Sequence, residues 1–180
     1  MADRDVLSWL WSPLCAVGSH GERGPNAQIC VSVFGASIVP EKPRLLVVLS
    51  NTNYTTELVA ASETLGVTVL AEGQLGLLEP LGLRSGRDGD KLAGLEFSLT
   101  DAGDPYFADG VGMAASSVIE TYDCGDSTAF LCAVVRRETW RGDPLTWASA
   151  RTVVGEEFLA RWAEKSAREQ EAARRAMHWK

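Results

Sequence analysis

Apolar and polar positions along this chain fall mostly into runs of strand length. Leu14 to Ser19 is a short apolar run ending in the breaker-rich turn His20-Gly21-Glu22-Arg23-Gly24-Pro25. Asn26 to Phe34 (NAQICVSVF) resumes as β-rich sequence, so the two runs are expected to pair as a hairpin with a long loop. Pro40 and Pro43 bracket a bend. Arg44 to Ser50 has a continuous apolar centre, Leu45 to Leu49, as expected of a strand buried on both faces. A helix is predicted to start near Asn53 to Thr56: Asn and Thr are good N-caps, and Glu57 suits the positive end of the helix dipole. Leu58, Ala61 and Leu65 follow at helical spacing, and Gly66 is expected to stop the helix.

Val67 to Leu70 reads as the next strand and Gln74 to Gly82 as a short helix interrupted by Pro80. Arg84 to Asp90 (RSGRDGD) is a polar, glycine-rich loop. Leu99 to Phe107 contains the turn Asp101-Ala102-Gly103-Asp104-Pro105. Ala115 to Tyr122 and Thr128 to Arg136 are strands, joined by the hairpin loop Asp123-Cys124-Gly125-Asp126. Many strands and few helices predict a mainly β fold, a Greek-key-like antiparallel barrel rather than a doubly wound sheet.

From Gly155 to Lys180 the pattern changes to a charged helix. Glu157 and Arg161, Glu164 and Arg168, and Glu171 and Arg175 are acid-to-base pairs at i,i+4, the favourable order. Leu159, Ala163, Ser166, Gln170, Ala173 and Met177 trace a narrow seam at four-three spacing. That seam suits contact with a partner subunit, or the helix stands in solvent held by its own ion pairs. The expected organisation is a barrel domain over residues 1–136 and an extension over 137–180 ending in the charged helix, with Trp140 and Trp147 opening the extension.

Composition narrows the function. The 180 residues are 46% hydrophobic and 23% charged, enough for one core. A net charge of -7 does not suit general nucleic-acid binding, which needs clustered Lys and Arg. No apolar run reaches the ~20 residues that span a bilayer, and the start MADRDVLSWLW lacks the basic and apolar regions of a secretion signal. The expectation is a cytoplasmic protein with no membrane partner. Cys15, Cys30, Cys124 and Cys132 form no CxxC pair, and His20 and His178 are the two histidines, so no metal site is expected and the thiols read as free and buried.

Six segments, in order, carry a resemblance. Asn26 to Phe34 is followed by Val39-Pro40-Glu41-Lys42-Pro43-Arg44 with Leu45 to Leu49 (compare "DPPLVLV"). Next come Asn51-Thr52-Asn53-Tyr54-Thr55-Thr56 and VTVLAEGQ from Val67 to Gln74 (compare "VNVLSxxQ"). Gly89-Asp90-Lys91-Leu92-Ala93-Gly94 (compare "GDKFxG") and Gly125-Asp126-Ser127-Thr128-Ala129-Phe130 (compare "GDHTIF") complete the set. Over about Pro13 to Val135 the chain resembles the flavin reductase-like family of FMN-binding split β-barrels. One difference is chemical: Ser127 stands where the family motif often has His, which keeps a hydroxyl and loses the switchable charge.

The resemblance implies a homodimer that holds FMN, with FAD as the alternative, and NAD(P)H as a co-substrate. It implies cofactor contacts from Asn26, Ala27, Gln28, Ile29, Cys30, Ser32, Asn51, Thr52, Asn53, Tyr54, Thr55, Arg84 and Lys91. The chemistry of those residues agrees. A dianionic phosphate wants the free N–H groups of a helix start, here Asn53 to Thr56. It also wants hydroxyls such as Ser32, Thr52 and Thr55, and a full charge such as Lys91 or Arg84. The strand Asn26 to Cys30 offers backbone groups to the polar edge of the ring. Plain structural roles stand beside these: capping for Asn and Thr, solvation for Lys91, packing for Ser32.

No catalytic residue is assigned, because in a flavin enzyme the cofactor carries the chemistry, and neither histidine has recognisable partners in sequence. Three functions are therefore weighed: an NAD(P)H-dependent flavin reductase passing hydride to flavin N5, an FMN flavoprotein for electron transfer or flavin storage, and a scaffold that has lost flavin.

Overall fold

A computed structural model describes residues 5–178. Its centre is a seven-stranded antiparallel sheet built from β1 (Cys15–Gly21), β2 (Gly24–Cys30), β3 (Val33–Gly35), β4 (Arg44–Ser50), β5 (Thr64–Val69), β8 (Gly112–Asp123) and β9 (Ser127–Thr139). The spatial order is β2-β1-β5-β8-β9-β4-β3. The two edge strands, β2 and β3, are consecutive in the chain, with Val31 and Ser32 alone between them. Such a link spans only ~10 Å, so the sheet must curl until its edges come together. This is the mainly β antiparallel fold that the pattern predicts, in the split-barrel form that the resemblance implies.

That closure explains one departure from the sequence reading. Asn26 to Phe34 reads as a single strand, but the chain leaves one edge of the sheet at Cys30 and joins the other at Val33. Ser32 marks the switch, its carbonyl accepting from the Val48 amide at 2.9 Å.

The hairpin of β8 and β9 is longer than expected, and its two ends serve different neighbours. Gly112 to Ser117 pairs with β5, whereas Ser127 to Ala133 pairs with β4. The β8–β9 register shifts between Ala115 and Ser116 and again between Val118 and Glu120. Bulges bend a strand and add twist, and these sit where the hairpin passes from one neighbour to the other.

Burial on both faces follows strand alternation. Cys15 and Val17 of β1 join Val47, Leu49, Val67, Phe130 and Cys132 in one cluster, and Leu14 and Ala16 join Leu70, Leu78, Leu81, Phe107 and Leu145 in a second. Burial pushes the Cys15 and Cys132 thiols up to about 12 and the Cys30 thiol up to about 11. Cys124, in the hairpin turn, is exposed.

Two helices frame the site. α1 (Tyr54–Ser62) lies on β1, burying Leu58 and Val59. It ends earlier than Gly66, because Glu63 takes the left-handed C-cap conformation (φ 57°) and Thr64 to Val69 is needed as a strand between β1 and β8. A 3-10 turn over Glu72–Leu77 leads into α2 (Leu78–Leu83). Pro80 opens α2 rather than interrupting it, since a first-turn N–H has no intrahelical acceptor to lose.

Short strands β6 (Ser98–Leu99) and β7 (Pro105–Tyr106) flank the predicted turn at 101–105. Buried Asp104 anchors that turn, accepting from Thr64 and receiving the His20 ring nitrogen at 2.8 Å. His20 thus has a partner that spacing did not reveal.

Residue 137 falls inside β9, and Leu145 and Ala150 are buried in the cluster of Leu14. A short helix, α3 (Trp147–Ala150), precedes α4 (Glu156–Ala176), which has no fully buried residue. The predicted helix positions Trp179 and Lys180 lie outside the described residues. Among the described residues no helix is long and apolar enough to cross a membrane.

Candidate functional site

A cleft of about 130 Å³ opens where β2, the start of α1, the loop after α2 and one face of α4 meet. It adjoins a second hollow of about 370 Å³ that shares Asn26, Tyr54, Gly86 and Lys91 with it. The larger hollow alone is of the size usual for small-ligand sites.

β2 contributes as an edge strand. Asn26 and Gln28 point to the cleft side and are nearly buried. Asn26 donates its amide to Thr55 Oγ1 at 2.7 Å, locking strand to helix. Gln28 Oε1 is buried with no hydrogen-bond partner. A buried acceptor left unpaired costs on the order of 1–3 kcal/mol. Its place in the cleft wall therefore fits a ligand that brings a donor.

α1 presents its N-terminus to the same space. Asn53 is the N-cap by backbone conformation, yet its side chain makes no capping bond. First-turn N–H groups and the positive end of the dipole thus face the cleft uncapped by that side chain. Two guanidinium groups lie over the Tyr54 ring, Arg23 at 4.8 Å and Arg87 at 5.7 Å from its centroid.

The cations gather here although the chain is acidic overall. Arg84, Arg87, Lys91 and Lys165 line the cleft against a single carboxylate, Glu169. Arg87 donates to Thr52 O at 2.9 Å and pairs with Glu57. Lys91 is not a solvated surface lysine: it is 7% exposed, and its ammonium donates to Leu81 O at 3.1 Å and Arg84 O at 3.2 Å. Burial, and then the like charge of Lys165, lower its pKa to about 8, with Glu169 opposing.

Of the residues singled out from sequence, Asn26, Gln28, Ile29, Thr52, Asn53, Tyr54, Thr55, Arg84 and Lys91 line this cleft. Four stand elsewhere. Ala27 is in the core on the opposite face of β2 from Gln28. Cys30 belongs to the other core cluster. Ser32 lies in the β2–β3 link. Asn51 ties the α1 approach to the hairpin turn, accepting from Thr128 at 2.7 Å and donating to Gly125 O at 3.3 Å. Ser127 opens β9 opposite Ser50 and donates to Asp126.

Sequence reasoning missed Arg87, Gly86 and the whole contribution of α4. Arg87 sits in the same RSGRDGD loop as Arg84, so the signal for it was present. The inward face of α4 runs through Phe158, Trp162, Lys165, Ser166 and Glu169, whereas Ala163 and Gln170 of the expected seam are exposed. Trp162 sets that face by packing on Trp147 (ring centroids 4.7 Å apart) and Phe158 (5.6 Å). Arg161 reaches across to Glu79 of α2 at 3.1 Å instead of pairing with Glu157. Glu164–Arg168 and Glu171–Arg175 pair within the helix as expected. Trp140 stacks near Tyr106, away from the cleft.

The arrangement is a cleft rich in cationic side chains with a hydrogen-bonding edge strand beside it. A phosphorylated, planar heterocycle with donor groups fits it: cations and free amides for the phosphate, Gln28 Oε1 for a donor, and unpaired edges of β2 for the ring.

The model of the flavin reductase like domain family matches residues 8–154. The high molecular weight rubredoxin of Moorella thermoacetica is 32% identical over 126 residues, 68% of this chain and 54% of that protein. The chain thus spans about half the length of that relative. The solved NADH:FAD oxidoreductase of Streptomyces globisporus superposes with a TM-score of 0.66 at 22% identity, over 72% of this chain and 76% of that one. For the FMN-binding protein of Thermus thermophilus the TM-score is 0.65 at 24% identity, over 71% of each. At these identities the two structures speak for the fold.

Proposed function

This chain belongs to the flavin reductase-like family, and on that footing we propose that its cleft binds FMN and that the protein is an NAD(P)H-dependent flavin reductase. The observation that carries the reading is the meeting of four cationic side chains with the uncapped start of α1 in a chain of net charge -7. FAD is the alternative flavin. When bound, the flavin would supply the redox chemistry, hydride uptake from a reduced nicotinamide.

The protein's part is placement. Arg84, Lys91 and the first-turn amides of Tyr54 and Thr55 hold the phosphate. Asn26, fixed to Thr55, keeps β2 and α1 at one spacing, and Gln28 Oε1 accepts from the ligand. Tyr54 and its flanking guanidinium groups wall one side and limit access of water. A homodimer is part of the proposal, supported by exposed Ile119, Tyr122 and Val135 on the long hairpin.

The replacement of the motif His by Ser127 favours a second reading, an FMN flavoprotein for electron transfer or storage that reacts poorly with NAD(P)H. Mixing the protein with FMN and NADH or NADPH separates the two. Loss of nicotinamide absorbance is the expected result. Tight yellow binding without that loss would establish the second reading, and a protein that stays colourless with FMN would overturn both.

A further inference from the structure

We propose that Lys165 of α4, outside the family-matched residues, is a ligand of the flavin phosphate, held at the cleft by Glu169. The inference rests on the reading of the cleft as a phosphorylated-flavin site and adds to it a residue that the barrel itself does not contain.

α4 is fixed, not merely adjacent. Trp162 fills the space above Gly82 of α2, and Arg161 bonds Glu79 at 3.1 Å. Lys165 lies one turn beyond Trp162 on the same helix face, and Glu169 one turn beyond Lys165. Docking by Trp162 therefore delivers both to the cleft.

The side chains of α4 differ in a telling way. Arg168, Arg174 and Arg175 are 70%, 66% and 78% exposed, whereas Lys165 is 24% exposed. A long cation normally keeps its charge in water. Lys165 instead turns inward, toward a second cation, Lys91, whose pKa it depresses. Two ammonium groups facing one hollow repel each other, and Glu169 offsets only part of that charge. A phosphate dianion between them would remove the conflict.

Donor capacity points the same way. The ammonium of Lys91 is engaged by two carbonyls, and the Arg87 guanidinium by Thr52 O and Glu57. An ammonium has three donors, and Glu169 engages Lys165 through one carboxylate oxygen. Lys165 therefore keeps donors for a ligand and comes from a rigid helix rather than a loop.

The test is a fluorescence-quenching titration of the full chain with FMN and with riboflavin, which lacks the phosphate. Lys165→Gln is expected to weaken FMN about tenfold, the scale of one charge-assisted hydrogen bond, and to leave riboflavin within about twofold. Lys165→Arg should recover most of the FMN affinity. Arg168→Gln, the same charge change on the exposed face, should alter neither ligand. Unchanged FMN affinity in Lys165→Gln, or equal losses for FMN and riboflavin, overturns the inference and leaves the flavin reading standing. A wild-type protein that binds neither flavin overturns both.

Discussion

The indole of Trp162 occupies the space a side chain at Gly82 would need: a β-carbon there would lie 2.4 Å from its Cζ3 atom. The close approach of α2 and α4 is therefore written into one glycine. Gly82→Ala should gain up to ~1 kcal/mol of helix propensity and lose ~1–3 kcal/mol to overpacking. The expected outcome is a modest net loss of stability, with α4 displaced. Near-ultraviolet circular dichroism of the Trp147–Trp162 pair should change, and FMN affinity should fall.

Gly86 plays a similar part on the other wall. A β-carbon at this position would lie 2.3 Å from Asn26 Oδ1. Gly86→Ala should push Asn26 off Thr55 and break the bond between β2 and α1. Thermal melting should show a loss of ~1–2 kcal/mol, and flavin titration a clear loss of affinity for both FMN and riboflavin.

Gln28 should show opposite effects on stability and binding. Its buried acceptor is unpaired in the ligand-free protein, so Gln28→Leu should keep or raise stability, by up to ~1 kcal/mol. Flavin affinity should fall in the same variant. Urea unfolding with and without FMN measures both; a variant weakened in stability and unchanged in binding would contradict the assignment.

Lys91 gives a pH dependence. Its pKa is about 8 in the folded protein against 10.5 for a free lysine, so the unfolded chain binds more protons between those values. The Lys91 contribution to the stability of the ligand-free protein should therefore rise with pH through about 8. The full cost of burying the charged form, on the order of 3 kcal/mol, is present below that pH. From about pH 8 upward the buried Cys15, Cys30 and Cys132 oppose the trend, because the unfolded chain begins to lose thiol protons below their ordinary value of 9.0 while their raised values keep them in the folded protein. The measurement is therefore the stability difference between wild type and Lys91→Gln from about pH 7 to about 8.5, in which the thiol contribution, common to both, cancels and the lysine's rise remains. FMN affinity should fall over the same window as the cation is lost.

Asp104 separates fold from site. It is 1% exposed and bonded to His20 and Thr64. Asp104→Ala should cost ~2–4 kcal/mol by stranding its partners. At temperatures where the variant is folded, FMN affinity should match the wild type, as read by the same titration.

Much of the barrel could be read from the chain because its strands carry their own signals. The apolar centre of β4 and the Gly125 turn between β8 and β9 are local features. The break at Val31 and Ser32 was not visible, since those residues continue the β-rich composition and only the curl of the sheet separates β2 from β3. Gly66 looked like a helix stop, but Glu63 took that role because β1 and β8 compete for Thr64 to Val69. In the cleft, the alternation of β2 sorts Asn26 and Gln28 from Ala27, whereas nothing local predicted that Lys91 would be buried. The face of α4 was legible only in part: Leu159, Ser166, Ala173 and Met177 are half-buried, whereas Ala163 and Gln170 are exposed beside inward Trp162 and Glu169. With so few apolar side chains its period is ambiguous, and a single indole contact decides it.

The long hairpin leaves a trace that isotope labelling can follow. β5 borders β8 only as far as Ser117, and β4 borders β9 only as far as Ala133. The outward amides of residues 119–123 and 135–139 therefore lie on open margins of the monomer. In heavy water these two stretches should take up deuterium well before the halves that β4 and β5 flank. Should a second subunit lie along them, their uptake would be slow in the dimer, and dilution to single chains would make it fast while the shielded halves kept their pace.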